Sequence, residues 1–273
     1  MAVEGPTAGV MAALTAALAS SAGTLVWEEN RRGPLRFLEC GFEAADPWDA
    51  RAAIASALAD WIVGVQQPGL LTRLIGQRYT GFGPEQHSRI VDLAQARLAG
   101  CEDGTAGQRA RVRHRLAEYL EHHQSVVLDG FITFRLKDYM DDLAAAVDQA
   151  VEAFVLEREY REFLELLRHL VESRPDRPAR IHCLLRPDGV FSLEDDAGAG
   201  LGPDMDIADA QHVGTEDLLV SSLVTLAPQR VELHLPGGGA LSGDALTTLG
   251  EVFVGAVVVC PGCERCACRA RGG

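Results

Sequence analysis

Residues 134–171 read FRLKDYMDDLAAAVDQAVEAFVLEREYREFLELLRHLV. No Gly or Pro interrupts them. Leu136, Met140, Leu143, Val147, Val151 and Phe154 recur at the spacing of one helix face. Leu156, Tyr160, Phe163, Leu167 and Leu170 continue the stripe after a one-step shift. The stripe reads as helix-bundle core, and the same spacing would also serve a seam for a partner helix. A single helix of this length spans roughly 55 Å at 1.5 Å per residue. That exceeds most globular helices, so a bend or break is expected near Glu157.

Upstream of this segment the pattern is also mostly helical. The first 23 residues are Ala-rich, and their only charge is Glu4. A secretory signal needs a positive start, so the segment reads as a first helix. TLVWEENRRGPLRFLECGF, residues 24 to 42, holds two short apolar runs around Gly33-Pro34, the pattern of a β-hairpin. Asp46 and Pro47 then suit a helix start. Ile54, Leu58, Trp61, Ile62 and Val65 supply its apolar face. Pro68-Gly69 is expected to interrupt it, with a second piece from Leu70 to Arg78. Further helices are expected at 85–99 and 107–128.

Downstream, SRPDRP at residues 173 to 178 marks a boundary. IHCLLRPDGVFSLED has two β-like runs around the turn Pro187-Asp188-Gly189. An acidic, Gly-rich loop follows from Asp195 to Asp209. A helix at 215–226 with Thr215 as its cap comes next, then the strand RVELHLP, a helix at 243–253 and the strand GAVVVC. The fold class is therefore α+β. A mainly α-helical N-terminal part with a small β-hairpin precedes a small α/β domain in the order β-β-α-β-α-β. The domains are expected at 1–23 (the Ala-rich helix), 24–174 (hairpin plus helices, the long one over 134–173) and 175–273 (the α/β part with its cysteine-bearing end).

The chain has 273 residues and a formal net charge of −14. Of its 25 basic residues only Lys137 is a lysine. Such a surface repels nucleic acid and anionic lipid at long range, which argues against a global nucleic-acid coat. No apolar run approaches the ~18 residues of a membrane span. Seven cysteines without a spaced disulfide framework suit a reducing, cytoplasmic setting.

Four of those cysteines stand in VVVCPGCERCAC, residues 257 to 268: Cys260, Cys263, Cys266 and Cys268. Cys260-Pro261-Gly262-Cys263 has the form of a metal knuckle, in which Pro and Gly turn the backbone so that amides point at thiolate sulfur. Such a knuckle offers zinc two ligands at about 2.3 Å. Cys266 and Cys268 can complete a four-thiolate site, although two residues between pairs leave little room. His182 and His234, on strands of the same domain, are the other candidate donors. Packed histidines and reduced, incidental thiols are the plainer alternatives, and redox chemistry is a third. The Cys-x-Cys ending departs from a ferredoxin run.

Other candidates carry less. LPGGGALSGD joins a strand to a helix through glycines, but lacks the Gly-Lys-Ser/Thr of a phosphate loop. The acidic loop fails the calcium ligand order. Arg109, Arg111, Arg113 and Arg115 spread around a helix as a solvated surface. His114 and His122 are too far apart on one helix to share an ion. No Gly-x-Ser-x-Gly elbow or His-Glu-x-x-His motif is present.

Residues 129 to 139 read DGFITFRLKDY. This resembles the signature of the YtxC-like sporulation proteins of endospore-forming bacteria. That family shows Gly-Phe-Ile-x-Phe-Arg-Leu-Lys here, at Gly130, Phe131, Ile132, Phe134, Arg135, Leu136 and Lys137. VDQAVEAFVLEREYREFLELLRHLV, IHCLLRPDG, DLLVSSLVTLAPQRVELH and CPGCERC extend the likeness over residues 24 to 266. The resemblance implies a sporulation role and no established reaction. Arg135, Lys137, Asp138 and Tyr139, at this helix entry, are candidate binding residues, with capping and salt bridges as the alternative.

The expectation is a cytoplasmic, sporulation-associated, non-catalytic protein that binds a protein partner, its C-terminal end stabilised by zinc. Homo-oligomerisation is compatible with the sequence. The alternative is a metal- or thiol-dependent enzyme with its site at the cysteine cluster.

Overall fold

The structure is a computed structural model. It describes residues 2–3, 24–32, 35–43, 47–101, 104–185, 191–201, 214–235 and 241–269. The chain forms two compact units, Met1–Leu156 and Glu157–Gly273. The fold is α+β, with the expected mainly helical N-terminal part and a mixed sheet near the C-terminus.

In the first unit, β2 (Thr24–Arg32) and β3 (Leu35–Glu43) form the antiparallel hairpin, closing from Thr24↔Glu43 to Arg32↔Leu35. Ala2 and Val3 form β1 and pair with β3, so they are strand, not helix. The remainder of the expected Ala-rich helix lies outside the described residues. α1 (Pro47–Trp61) passes through a π-helical turn, Ile62–Gln66, into α2 (Gln67–Arg78). Pro68-Gly69 does not break the run as expected. The π-helical turn stands immediately before Pro68, where the proline ring cannot donate to a carbonyl of the preceding turn, so the ladder changes span there and the run continues.

α3 (Pro84–Gly100) and α4 (Gly104–His122) follow. The expected helix to 128 ends at His122, and the family-like stretch forms a short helix of its own, α5 (Leu128–Arg135). The Leu136 N–H donates to the Phe131 carbonyl at 3.2 Å, five residues back. The hydrogen-bond ladder therefore restarts, and α6 runs over Lys137–Glu172 without a break near Glu157. Leu58, Ile62, Leu71, Ile75, Ile90, Leu116 and Leu143 are fully buried in the core of this unit.

The second unit takes the later part of α6, then β4 (Ile181–Leu185), β5 (Phe191–Glu194), α7 (Thr215–Leu226), β6 (Val231–His234), α8 (Gly243–Val252), β7 (Val257–Val259) and α9 (Glu264–Arg269). Gly214, not Thr215, is the N-cap residue of α7. The sheet order is β5-β4-β6-β7. β5 is antiparallel to β4, while β4, β6 and β7 are parallel. Ile181, Cys183, Leu185, Val231 and Leu233 enter one core with Leu164 and Val171 of α6, Leu223 of α7 and Leu249 of α8. Period-two alternation turns His182, Leu184, Glu232 and His234 to the other face.

The apolar stripe of α6 divides. Leu143 and Val147 are core, as are Leu164 and Val171. Leu156, Tyr160, Phe163 and Leu170, expected in the core, are exposed, and Leu166 beside them is 69% exposed. Leu164 and Val171 pack into the core of the second unit together with Leu167, a member of the expected row that is partly buried there.

Candidate metal centre

The site begins with strand register. Ile181 pairs with Val231, and Val231 with Val257. Residues an odd number of positions after these anchors share the face of His182 and His234. The Cys260 N–H donates to the Leu233 carbonyl at 2.9 Å and prolongs β7 by one residue. Cys260 therefore arrives beside His234. Pro261 and Gly262 turn the chain immediately after it, and Gly262 has φ of +125°, a conformation open to glycine. Cys263 follows the turn, and α9 begins at Glu264, placing Cys266 one turn further on.

Four donor atoms, from His234, Cys260, Cys263 and Cys266, all lie within 4.8 Å of one another. His234 Nδ1 is 3.4 Å from the Sγ atoms of both Cys263 and Cys266. The Cys263–Cys266 Sγ distance is 3.8 Å and the Cys266–Cys260 distance is 4.0 Å. Four ligands placed tetrahedrally at zinc bond lengths would stand about 3.8 Å apart sulfur to sulfur and about 3.6 Å sulfur to nitrogen. The donor set therefore fits one tetrahedral metal ion and can hold it.

The electrostatics favour that role at Cys263 and His234 and oppose it at Cys260. The Gly262 amide donates to the Cys260 sulfur, favouring thiolate, but burial and the Cys263 and Cys266 thiols outweigh it and raise its pKa. The Cys263 pKa is lowered, chiefly by the Cys266 backbone amide, with the Arg265 amide adding to it. Those two amides are first-turn donors of α9 aimed at sulfur. His234 is 1% exposed, and its pKa is lowered by burial and by the neighbouring His182. A neutral imidazole is the form that ligates metal.

A second layer stands behind His234. Its Nε2 is 3.0 Å from His182 Nδ1, and His182 Nε2 is 3.0 Å from Asp196 Oδ1. Arg265 of α9 donates to the Asp196 carbonyl at 2.6 Å and to Glu194 Oε2 at 3.4 Å, tying the helix to the end of β5. Glu232 Oε2 lies 3.4 Å from His182 Nδ1, with Arg180 and Arg230 each 3.5 Å from its other oxygen. His182, Glu232 and His234 form a second group of potential ligands. The 3.0 Å spacing of its imidazoles is a hydrogen-bond distance.

The remaining candidates fall elsewhere. The Cys268 side chain lies outside the described residues, as do the glycines of 236–240 and the acidic stretch 202–213. Cys183 is in the core, where burial pushes its thiol up to about 12. Tyr139 is buried in the first unit and accepts from Gln67 Nε2 at 3.2 Å. Asp138 meets Arg115 at 3.4 Å, and Arg135 lies 6.0 Å from the centre of the Tyr119 ring. Lys137 is exposed. Arg109 and Arg111 pair with Asp60 and Asp142. Sequence reasoning offered His182 and His234 together; both share the face of Cys260, and register separates their roles, since His234 and Cys260 each stand three residues past their paired anchors and His182 only one.

The model of the YtxC-like family matches residues 52–258. His182 and His234 lie within that match, which ends two residues before Cys260. The protein named "Uncharacterized protein YtxC" of Bacillus subtilis (strain 168) is 23% identical over 207 residues, covering 71% of this chain and 73% of the relative. No solved structure matches the chain significantly. Among the described residues, no helix is long and apolar enough to cross a membrane.

Proposed function

The chain belongs to the YtxC-like family, and from that premise we propose a sporulation-associated, non-catalytic protein that binds a protein partner and is stabilised near its C-terminus by one zinc ion. The observation that carries this reading is the closed donor set of His234, Cys260, Cys263 and Cys266. Structural zinc sites fill all four positions with protein ligands, whereas catalytic ones keep a position for water or substrate. Sulfur and imidazole donors at tetrahedral spacing favour zinc over the oxygen-seeking cations. Three unbridged thiols at one site suit a reducing cytoplasm.

Partner binding is supported by large apolar side chains left in solvent. Phe134, inside the family-like stretch, is 70% exposed, and Phe163 and Leu166 are exposed on α6. The sporulation role comes from the family resemblance.

Metal analysis of protein purified without chelator tests the reading. One zinc per chain is expected, falling to about a tenth or less in Cys260→Ser and Cys263→Ser. Cobalt substitution should give the spectrum of a tetrahedral thiolate site without bound water. A stable open position would instead favour the enzyme alternative. For the partner, pull-down from sporulating cells should recover one dominant protein whose capture is lost in Phe134→Ala; recovery unchanged by that substitution counts against this surface.

A further inference from the structure

We propose that His182 and Asp196 are positioning residues: a carboxylate–imidazole–imidazole relay that fixes the tautomer of His234 and presents its Nδ1 to the metal. This inference rests on the metal reading above. Nδ1 of His234 faces the sulfur atoms, at 3.4 Å from two of them. A metal on Nδ1 requires the ring proton on Nε2. That N–H then donates to His182 Nδ1, 3.0 Å away. With Nδ1 accepting, the His182 proton must sit on Nε2, which is 3.0 Å from the Asp196 carboxylate. Every donor in this relay meets an acceptor, and each imidazole needs only one proton. Glu232 Oε2, at 3.4 Å from His182 Nδ1, is farther than His234 Nε2 at 3.0 Å, and its carboxylate has Arg180 and Arg230 as counter-charges.

The opposite tautomers do not serve the site. If His182 donated from Nδ1, His234 Nε2 would accept, and the His234 proton would sit on Nδ1 among the thiolates, blocking the metal. The relay therefore selects the metal-binding form. Burial strengthens that selection, because His182 is only 6% exposed and water does not replace a lost partner there. Ligating histidines generally need such an outer partner, and removing it typically costs about 10–100-fold in metal affinity. Asp196 is anchored for this task. Arg265, on the same helix as Cys266, binds its carbonyl at 2.6 Å, and Arg180 stands 3.7 Å from its carboxylate.

The test measures zinc affinity by competition with a chromophoric chelator in wild type, His182→Phe, His182→Asn and Asp196→Asn. His182→Phe removes the acceptor and is expected to weaken binding about 10–100-fold. His182→Asn can place an amide oxygen near the lost Nδ1, and should recover part of the loss. Asp196→Asn alters an exposed side chain and should weaken binding by about 10-fold, the lower end of that range. In cadmium-substituted wild-type protein, nitrogen NMR should show metal coupling to His234 Nδ1 and a proton on Nε2. Coupling to Nε2 overturns the relay. Stoichiometric zinc in wild type with unchanged affinity in His182→Phe and Asp196→Asn overturns the relay alone. Absence of zinc from wild type overturns the metal reading and the relay with it. Should His182→Phe fail to fold, Asp196→Asn decides.

Discussion

Tyr139 and the three cysteines of the candidate metal centre show how neighbours set the chemistry of single residues. The Tyr139 hydroxyl is buried, and desolvation pushes its pKa up to about 12, against the smaller lowering effect of the Gln67 amide. The folded state thus favours the protonated phenol. The stability it contributes is fully present below the unfolded pKa near 10 and is lost as pH rises through about 10 towards about 12. Between about pH 8 and about pH 11, wild type should lose about 1.4 kcal/mol more than Tyr139→Phe, measured by urea unfolding at each pH. Equal losses would show that Tyr139 ionises freely. Its place at the family-like helix entry suggested a binding residue. Sequence offers no way to see Gln67 meeting it from α2, itself held by Gln108 of α4. The cysteines were legible as a knuckle because Pro261 and Gly262 fix a local turn. His234 as their partner was legible only as a candidate, because ligand choice depends on strand register.

At the scale of the element, α6 carries both its roles on one uninterrupted run of helix formers. Its two ends bury different rows. Leu143→Ala, at a fully buried position, should destabilise by about 2–5 kcal/mol through lost burial and the cavity left behind. Leu166→Ala, on the exposed side, should change stability by about 0.5 kcal/mol or less. Thermal and urea unfolding of the two variants check both values. A large loss at Leu166 would mean that its face is packed in solution. The helix itself was legible from periodicity. The face it buries beyond Leu156 was not, because Tyr160, Phe163 and Leu170 on one side and Leu164 and Val171 on the other both make helical rows with Leu167. The break at Leu136 was also hidden: it is a change of hydrogen-bond span, and no Gly or Pro marks it.

Over the whole molecule, the candidate metal site and the larger helical core belong to different compact units. Chelation should therefore act on one of them. With excess EDTA, amide exchange is expected to accelerate in β4, β6 and α9 while α1 to α4 keep their protection, read by hydrogen-exchange mass spectrometry. Uniform deprotection of both units would contradict this division. The sequence by itself determined the helix-rich start, the hairpin, the mixed C-terminal order of strands and helices, the Cys-Pro-Gly-Cys turn and the family. Each of these is written in local periodicity, turn residues or a contiguous signature. Tertiary structure alone decided which histidine meets the cysteines, which stands behind it, and which side of α6 is covered. Those outcomes depend on pairing β4, β6 and β7 across about 50 and 26 residues of chain, where a one-residue change of register would turn every side chain to the other face.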